Sequence, residues 1–179
     1  MTAHDGNQGM NQSGQPGPAE LSESRYSGAG ILLGWKSREC WEVLLAKRGE
    51  EPFLGYWSVP GGGRSHSDPS PLATALREAS EELFQGRDIL NQLSKWLSNG
   101  FHPETMPIQR HATPRGNPWR TYLLELSARP PVEVFDVLRH EVEQVAWFRV
   151  SSLPALLHPC VVSSLEHFNL ISRHPGNPS

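Results

Sequence analysis

The stretch from Gly61 to Leu83 constrains this chain most: three consecutive glycines, a polar loop, then a run dense in carboxylates. Ser70 is a strong helix N-cap, and Pro71 suits the first helical position, where a missing N–H is no loss. Leu72, Leu76, Ala79 and Leu83 recur at helical spacing, which predicts an amphipathic helix with one apolar stripe. At about 100° per residue, Glu78, Glu81 and Glu82 share roughly 100° of arc, well off that stripe. Like charges so spaced repel one another and weaken a bare helix. Arg77 can pair with Glu81 at i, i+4, and a divalent cation would offset the rest. A solvated acidic face is the ordinary alternative for a charge run. The adjoining glycines favour a site, because they let backbone groups approach without side-chain obstruction.

Gly63 and the segment Arg77, Glu78, Ala79, Ser80, Glu81, Glu82 resemble, at their spacing, the box of the Nudix family. Trp57 to Gly62 is similar to that family's lead-in. Two positions depart. Pro69 stands where the first glutamate of the box belongs, and Phe84 where its late glycine belongs. Asp68 and Glu50 are the carboxylates at hand to replace the first, and Gly86 can supply the left-handed residue that stops the helix.

The resemblance implies an α+β fold, a mixed β-sheet sandwiched between α-helices (α/β/α). It implies Mg²⁺-dependent hydrolysis, with Mn²⁺ as the other candidate ion, of a pyrophosphate bond in a nucleoside diphosphate linked to another moiety. Glu78, Glu81, Glu82 and the Gly62 carbonyl would bind the metal, and Arg77 would orient the glutamates. The general base would be Glu78 or Glu141, the latter six residues before Trp147 as in the family. For Glu141 or its neighbour Glu143, a surface carboxylate at a loop edge is the alternative. Arg48, Phe53, Tyr56 and Trp57 are candidates for the substrate entrance, with aromatic rim packing as the alternative. A Nudix-like module that binds a nucleotide without cleaving it is the second functional reading.

A chain of 179 residues fits one domain with a tail. Residues 1–26 are expected to be a disordered leader, 27–174 the domain and 175–179 a flexible tail. The formal charge of −3 provides no basic footprint, so a small-molecule nucleotide is the expected partner, not nucleic acid at large. Cys40 and Cys160 form neither a CxxC pair nor a zinc pattern, and isolated cysteines suit a reducing compartment. No secretory signal and no apolar run near the ~18 residues of a membrane span is present, so a cytoplasmic protein is expected. No pattern speaks to oligomeric state.

Along the chain, residues 28–35 and 41–48 read as a strand hairpin, 49–56 as a loop and 57–59 as a short strand before the glycine turn. After Gly86, Asp88 caps an amphipathic pattern of Ile89, Leu93, Trp96 and Leu97, which predicts a helix. Residues 101–118 read as a proline-bearing loop in which His102, Arg110, His111 and Arg115 are candidates to meet phosphates. A strand is predicted from Trp119 to Ser127, another strand or an extended connection over 132–137, and a last strand through Phe148. A helix opening at Ser151 and a terminal helix over 159–173, stopped by Pro175 and Gly176, complete the reading.

Overall fold

The hairpin of β1 (Gly28–Lys36) and β2 (Trp41–Arg48) sets the layers through its side-chain alternation. Ala29, Ile31, Leu33, Leu44 and Ala46 enter one apolar cluster, while Leu32, Val43 and Leu45 enter another on the opposite face. The first is covered by α1 (Pro71–Phe84) and the second by α3 (Pro159–His167). The expected α/β/α sandwich is therefore observed, in a computed structural model that describes residues 25–171. Residues 1–24 of the expected leader, and the helix stop at Pro175 and Gly176, lie outside the described residues, whereas Tyr26, at the leader's expected end, is described and buried.

The sheet is mixed. β1 pairs parallel with β6 (Pro118–Leu126) and antiparallel with β2, which in turn pairs antiparallel with β7 (Val142–Arg149). The hairpin registers Leu33 with Leu44 and Lys36 with Trp41, and its strands part beyond Leu33 and Leu44. β3 (Trp57–Ser58) pairs with Ala46 and Lys47, and β4 (Gly61–Gly63) with Gly28 to Gly30, so the two short strands fill the parting. The glycines are thus a paired strand and not a free turn, which fixes their height against α1.

Helix α1 begins as its sequence predicts: the Ser70 side chain accepts the Ala73 N–H, with Pro71 in the first turn. Its buried face is turned from the expected stripe. Ala75, Ala79, Leu83 and Phe84 are fully buried, whereas Leu72 and Leu76 are only partly so. Phe84 lies in the core against Phe135, ring centroids 5.5 Å apart. Gln85 takes the left-handed stop (φ 51) assigned above to Gly86, which follows at φ 84.

Elsewhere several expectations are corrected. The helix after Asp88 is one short piece, α2 (Ile89–Gln92), followed by a 3₁₀ turn at Ser94–Trp96, although Asp88 does cap it by accepting the Asn91 N–H. Residues 101–118 are not wholly loop: β5 (Ile108–Ala112) pairs antiparallel with β6. Residues 132–134 form a 3₁₀ turn, not a strand. No helix opens at Ser151; α3 starts at Pro159, where the His158 side chain caps it, and stops at His167, ahead of left-handed Asn169 (φ 56). No described helix is long and apolar enough to cross a membrane.

Phe84→Ala is expected to lower the unfolding free energy by about 3–5 kcal/mol, read from urea midpoints at unchanged m. A loss under about 1 kcal/mol would mean that Phe84 does not anchor α1 to the sheet.

Candidate active site

The glycines of β4 bring backbone against the acidic face of α1. Gly61 has φ 156, and a Cβ there would strike the Gly30 Cα and the Ala29 carbonyl. Its N–H donates to Glu82 Oε2 at 3.1 Å. At Gly62 a Cβ would run into the Glu78 carboxylate. Only glycine lets the helix carboxylates come this near the strand.

Arg77 organises the carboxylates. Its Nε and Nη2 donate to Asp68 Oδ1 and Oδ2 at 3.0 and 2.9 Å, and Nη2 also donates to the Gly63 carbonyl at 2.9 Å. Nη1 meets Glu78 Oε1 at 2.9 Å and Glu81 Oε2 at 3.0 Å. Four N–H groups of the guanidinium are hydrogen-bonded and its charge also pairs with Glu78, so it positions its neighbours. Asp68 is the carboxylate that pairs with Arg77 where Pro69 has none to offer. It also accepts from Thr74 Oγ1 and the Ser65 N–H, both at 2.8 Å, while Thr74 meets the buried Tyr26 hydroxyl at 3.0 Å. These donors, Arg77 foremost, hold the Asp68 carboxyl well below the ordinary carboxylate range. Glu50 pairs only loosely with Arg48, at 4.0 Å.

The acidic residues occupy different surroundings. Glu82 is 8% exposed, and burial, with Glu78 and Glu141 adding repulsion, pushes its pKa up to about 8. Burial also raises Glu78, against the pull of Arg77. Glu81 is turned aside, its carboxylate 43% exposed on Arg77, in a shallow depression with Ser80 and Asp88. Glu141 arrives from a loop that docks on the end of α1: the Asp136 and Leu138 N–H groups donate to the Leu83 and Glu82 carbonyls at 2.9 Å. The Glu141 carbonyl accepts the Gly49 N–H at 2.8 Å, and its carboxylate lies 3.3 Å from His140 Nε2.

Among the described residues no three His, Cys, Asp or Glu side chains converge into a formed metal-binding set. The donor chemistry still suits a hard cation. Glu78, Glu82 and Glu141 are oxygen donors near enough for the charges of Glu78 and Glu141 to raise Glu82. A cation among them would relieve that repulsion.

Beside Gly61 opens a cavity of about 190 Å³, walled by Arg48, Phe53, Ser58, Arg115, Trp119 and His158 among others. Phe53 has φ 70, a left-handed geometry uncommon for a residue with a Cβ, and its ring packs edge-on against His158 at 4.6 Å. Arg48 Nε holds this loop by donating to the Pro52 carbonyl at 2.9 Å. Of the four residues expected at the entrance, Arg48 and Phe53 line the cavity. Tyr56 packs behind Phe53 at 5.6 Å, and Trp57 packs on Phe148 at 4.7 Å in the second apolar cluster. Of the candidate phosphate contacts in residues 101–118, Arg115 reaches the cavity, while Arg110 and His111 lie on β5. Trp119 and His158 carried no site signal in the sequence, since each becomes a wall only through strand pairing and helix docking.

The raised Glu82 favours the folded state most below its ordinary value of 4.5, and this contribution is lost as pH rises through about 8. In chelator the melting temperature is therefore expected to decline between about pH 5 and pH 8, and Glu82→Gln to flatten that decline. Asp68 works oppositely: its contribution is present above its ordinary value of 3.8 and is lost as pH falls below it. Parallel pH profiles for wild type and Glu82→Gln would contradict this assignment.

The NUDIX domain family model matches residues 26–168. No curated protein sequence matches this chain. Among solved structures the fold is similar to a C. elegans Ap4A hydrolase binary complex, at 16% identity and TM-score 0.54, covering 79% of this chain and 94% of that one. It is similar also to the NUDIX domain of Shewanella oneidensis NrtR complexed with ADP ribose, at 18% identity and TM-score 0.54, covering 81% and 88%. A bifunctional NMN adenylyltransferase/ADP ribose pyrophosphatase from Francisella tularensis, complexed with AMP and a Mn ion, aligns at 16% identity and TM-score 0.52, covering 82% of this chain and 42% of that one. At such identities the structures speak for the fold, and it is the family match over most of the chain that makes this protein a member of the Nudix hydrolase family.

Proposed function

We propose that this Nudix pyrophosphohydrolase uses Mg²⁺ or Mn²⁺ to hydrolyse the pyrophosphate bond of a nucleoside diphosphate linked to another moiety. The observation that carries the reading is the grouping of Glu78, Glu82 and Glu141 beside Gly61, which also lines the cavity. Ap4A and ADP ribose, named with two of the similar structures, are both nucleoside diphosphates joined to a further group.

Glu78 and Glu82 with the Gly62 carbonyl would hold the metal, and Glu81 would take part from the Arg77 side. When bound, such an ion supplies charge neutralisation on the phosphates and acidifies water. Arg77, engaged with Asp68, Glu78, Glu81 and the Gly63 carbonyl, holds the carboxylates in place. Glu82, which keeps its proton near neutrality by burial, would give it up as the cation binds. Glu78, on α1, or Glu141, on the loop before β7, would accept the proton of the attacking water. The cavity would take the nucleoside, with the scissile link passing over Gly61 toward the acidic face.

Pro69 and Phe84 are the residues that would favour binding without turnover. Asp68 serves Arg77 in place of a glutamate at Pro69, and Phe84 is a core residue, so neither departure now favours that alternative. Two partly buried free thiols suit the reducing compartment expected for a cytoplasmic enzyme.

A screen of nucleoside triphosphates, nucleotide sugars, dinucleoside polyphosphates and dinucleotides with Mg²⁺ tests the reading. On the best substrate, Glu78→Gln or Glu141→Gln is expected to lower kcat by about 10²- to 10⁴-fold, whichever is the base. Undiminished turnover in both variants and in Glu82→Gln would refute the mechanism. Mg²⁺ should also raise the melting temperature, and more at pH 8 than at pH 6, because the cation competes with a proton on Glu82.

A further inference from the structure

The cavity beside Gly61 has a definite hydrogen-bonding sense. Its side chains of fixed sense, Arg48, Arg115 and Trp119, are donors only, and no carboxylate lines it. Ser58, Thr113 and Asn117 can act either way. A fourth fixed donor is created by geometry at His158. Its backbone N–H donates to the Trp57 carbonyl at 2.8 Å, which ties it to β3. Its Nδ1 accepts the Cys160 N–H at 3.3 Å as the cap of α3. A ring nitrogen that accepts cannot carry a proton, so the imidazole proton sits on Nε2. Phe53 packs edge-on against the ring at 4.6 Å, and His158 lines the cavity. Burial foremost, with the positive charge of Arg48 adding, lowers the His158 pKa and keeps the ring neutral.

We infer that His158 is a specificity-determining donor, and that this protein selects nucleotides whose base bears a carbonyl at C6 of a purine or C4 of a pyrimidine over those bearing an amine at that position. The inference rests on the reading above that the cavity holds the nucleoside. A carbonyl receives the Nε2–H, whereas an amine opposes donor with donor. The imidazole cannot reverse its sense, as an asparagine amide does, without abandoning the helix cap. The aromatic walls at Phe53 and Trp119 suit a planar ring, and the volume of about 190 Å³ accommodates a purine or a pyrimidine.

Inosine and adenosine nucleotides differ in the group at C6, carbonyl against amine, and in the N1 proton that goes with it, and form a closely matched pair. By calorimetry with Mg²⁺, inosine 5′-diphosphate is expected to bind wild type about tenfold or more tightly than adenosine 5′-diphosphate. In His158→Phe, which keeps the ring contact and removes the donor, the two affinities should fall within about twofold of each other. His158→Asn retains a helix cap and serves as the second variant if the first melts early. Equal affinities in wild type overturn the inference, as does a preference that survives in both variants or an absence of binding by either nucleotide. Hydrolysis is scored separately on every substrate class of the screen above. A preference in binding with no product would refute the proposed turnover while leaving the role of His158 intact.

Discussion

Everything at the acidic face depends on the pairing of Arg77 with Asp68. A bidentate guanidinium–carboxylate pair between half-buried Arg77 and buried Asp68 fixes both position and orientation, which a single ion contact does not. Because Asp68 is itself held by Thr74 and the Ser65 N–H, the pair is anchored to the first turn of α1 and to the loop before it. Tyr26 extends the anchor to the start of β1 through its hydroxyl. The remaining donors of Arg77 then decide where Glu78 and Glu81 lie.

With the carboxylates placed, burial sorts them. Glu82 lies under the Gly61 N–H with too little solvent to favour ionisation, Glu78 is half-way between burial and the Arg77 charge, and Glu81 stands nearer water. Burial thus raises the proton affinity of two acids, Glu78 and Glu82, just over one turn apart on one helix. A group of repelling carboxylates is costly on a bare helix, and a divalent ion is the partner whose chemistry offsets it.

The two departures from the family pattern are compensated locally. At the first, an aspartate one residue earlier reaches the same arginine, and that was legible as an option in the sequence but not as a choice against Glu50. At the second, the helix runs on to a phenylalanine that fills core space against Phe135, and Gln85 absorbs the left-handed turn. The readings that failed had a common cause. β5 carries Ile108, Gln109, Arg110, His111 and Ala112, with no apolar alternation, and is held by pairing to β6 and by Gln109 contacts to Ser163 and Ser164 on α3. The segment expected to open a helix at Ser151 instead packs Leu153 and Leu157 on the second apolar cluster and bridges Leu157 to Trp57.

By itself the chain's sequence determined the box helix, its cap, the acidic cluster and the paired apolar strands. These follow from local spacing and from residues whose backbone preferences are strong, such as Ser70, Pro71 and the glycines. Tertiary structure alone decided which carboxylate serves Arg77, how far Glu82 is buried, and that Trp119 and His158 stand across a cavity from Phe53. Those outcomes depend on contacts between segments far apart in the chain, and proton affinity and cavity shape are properties of such contacts, not of spacing.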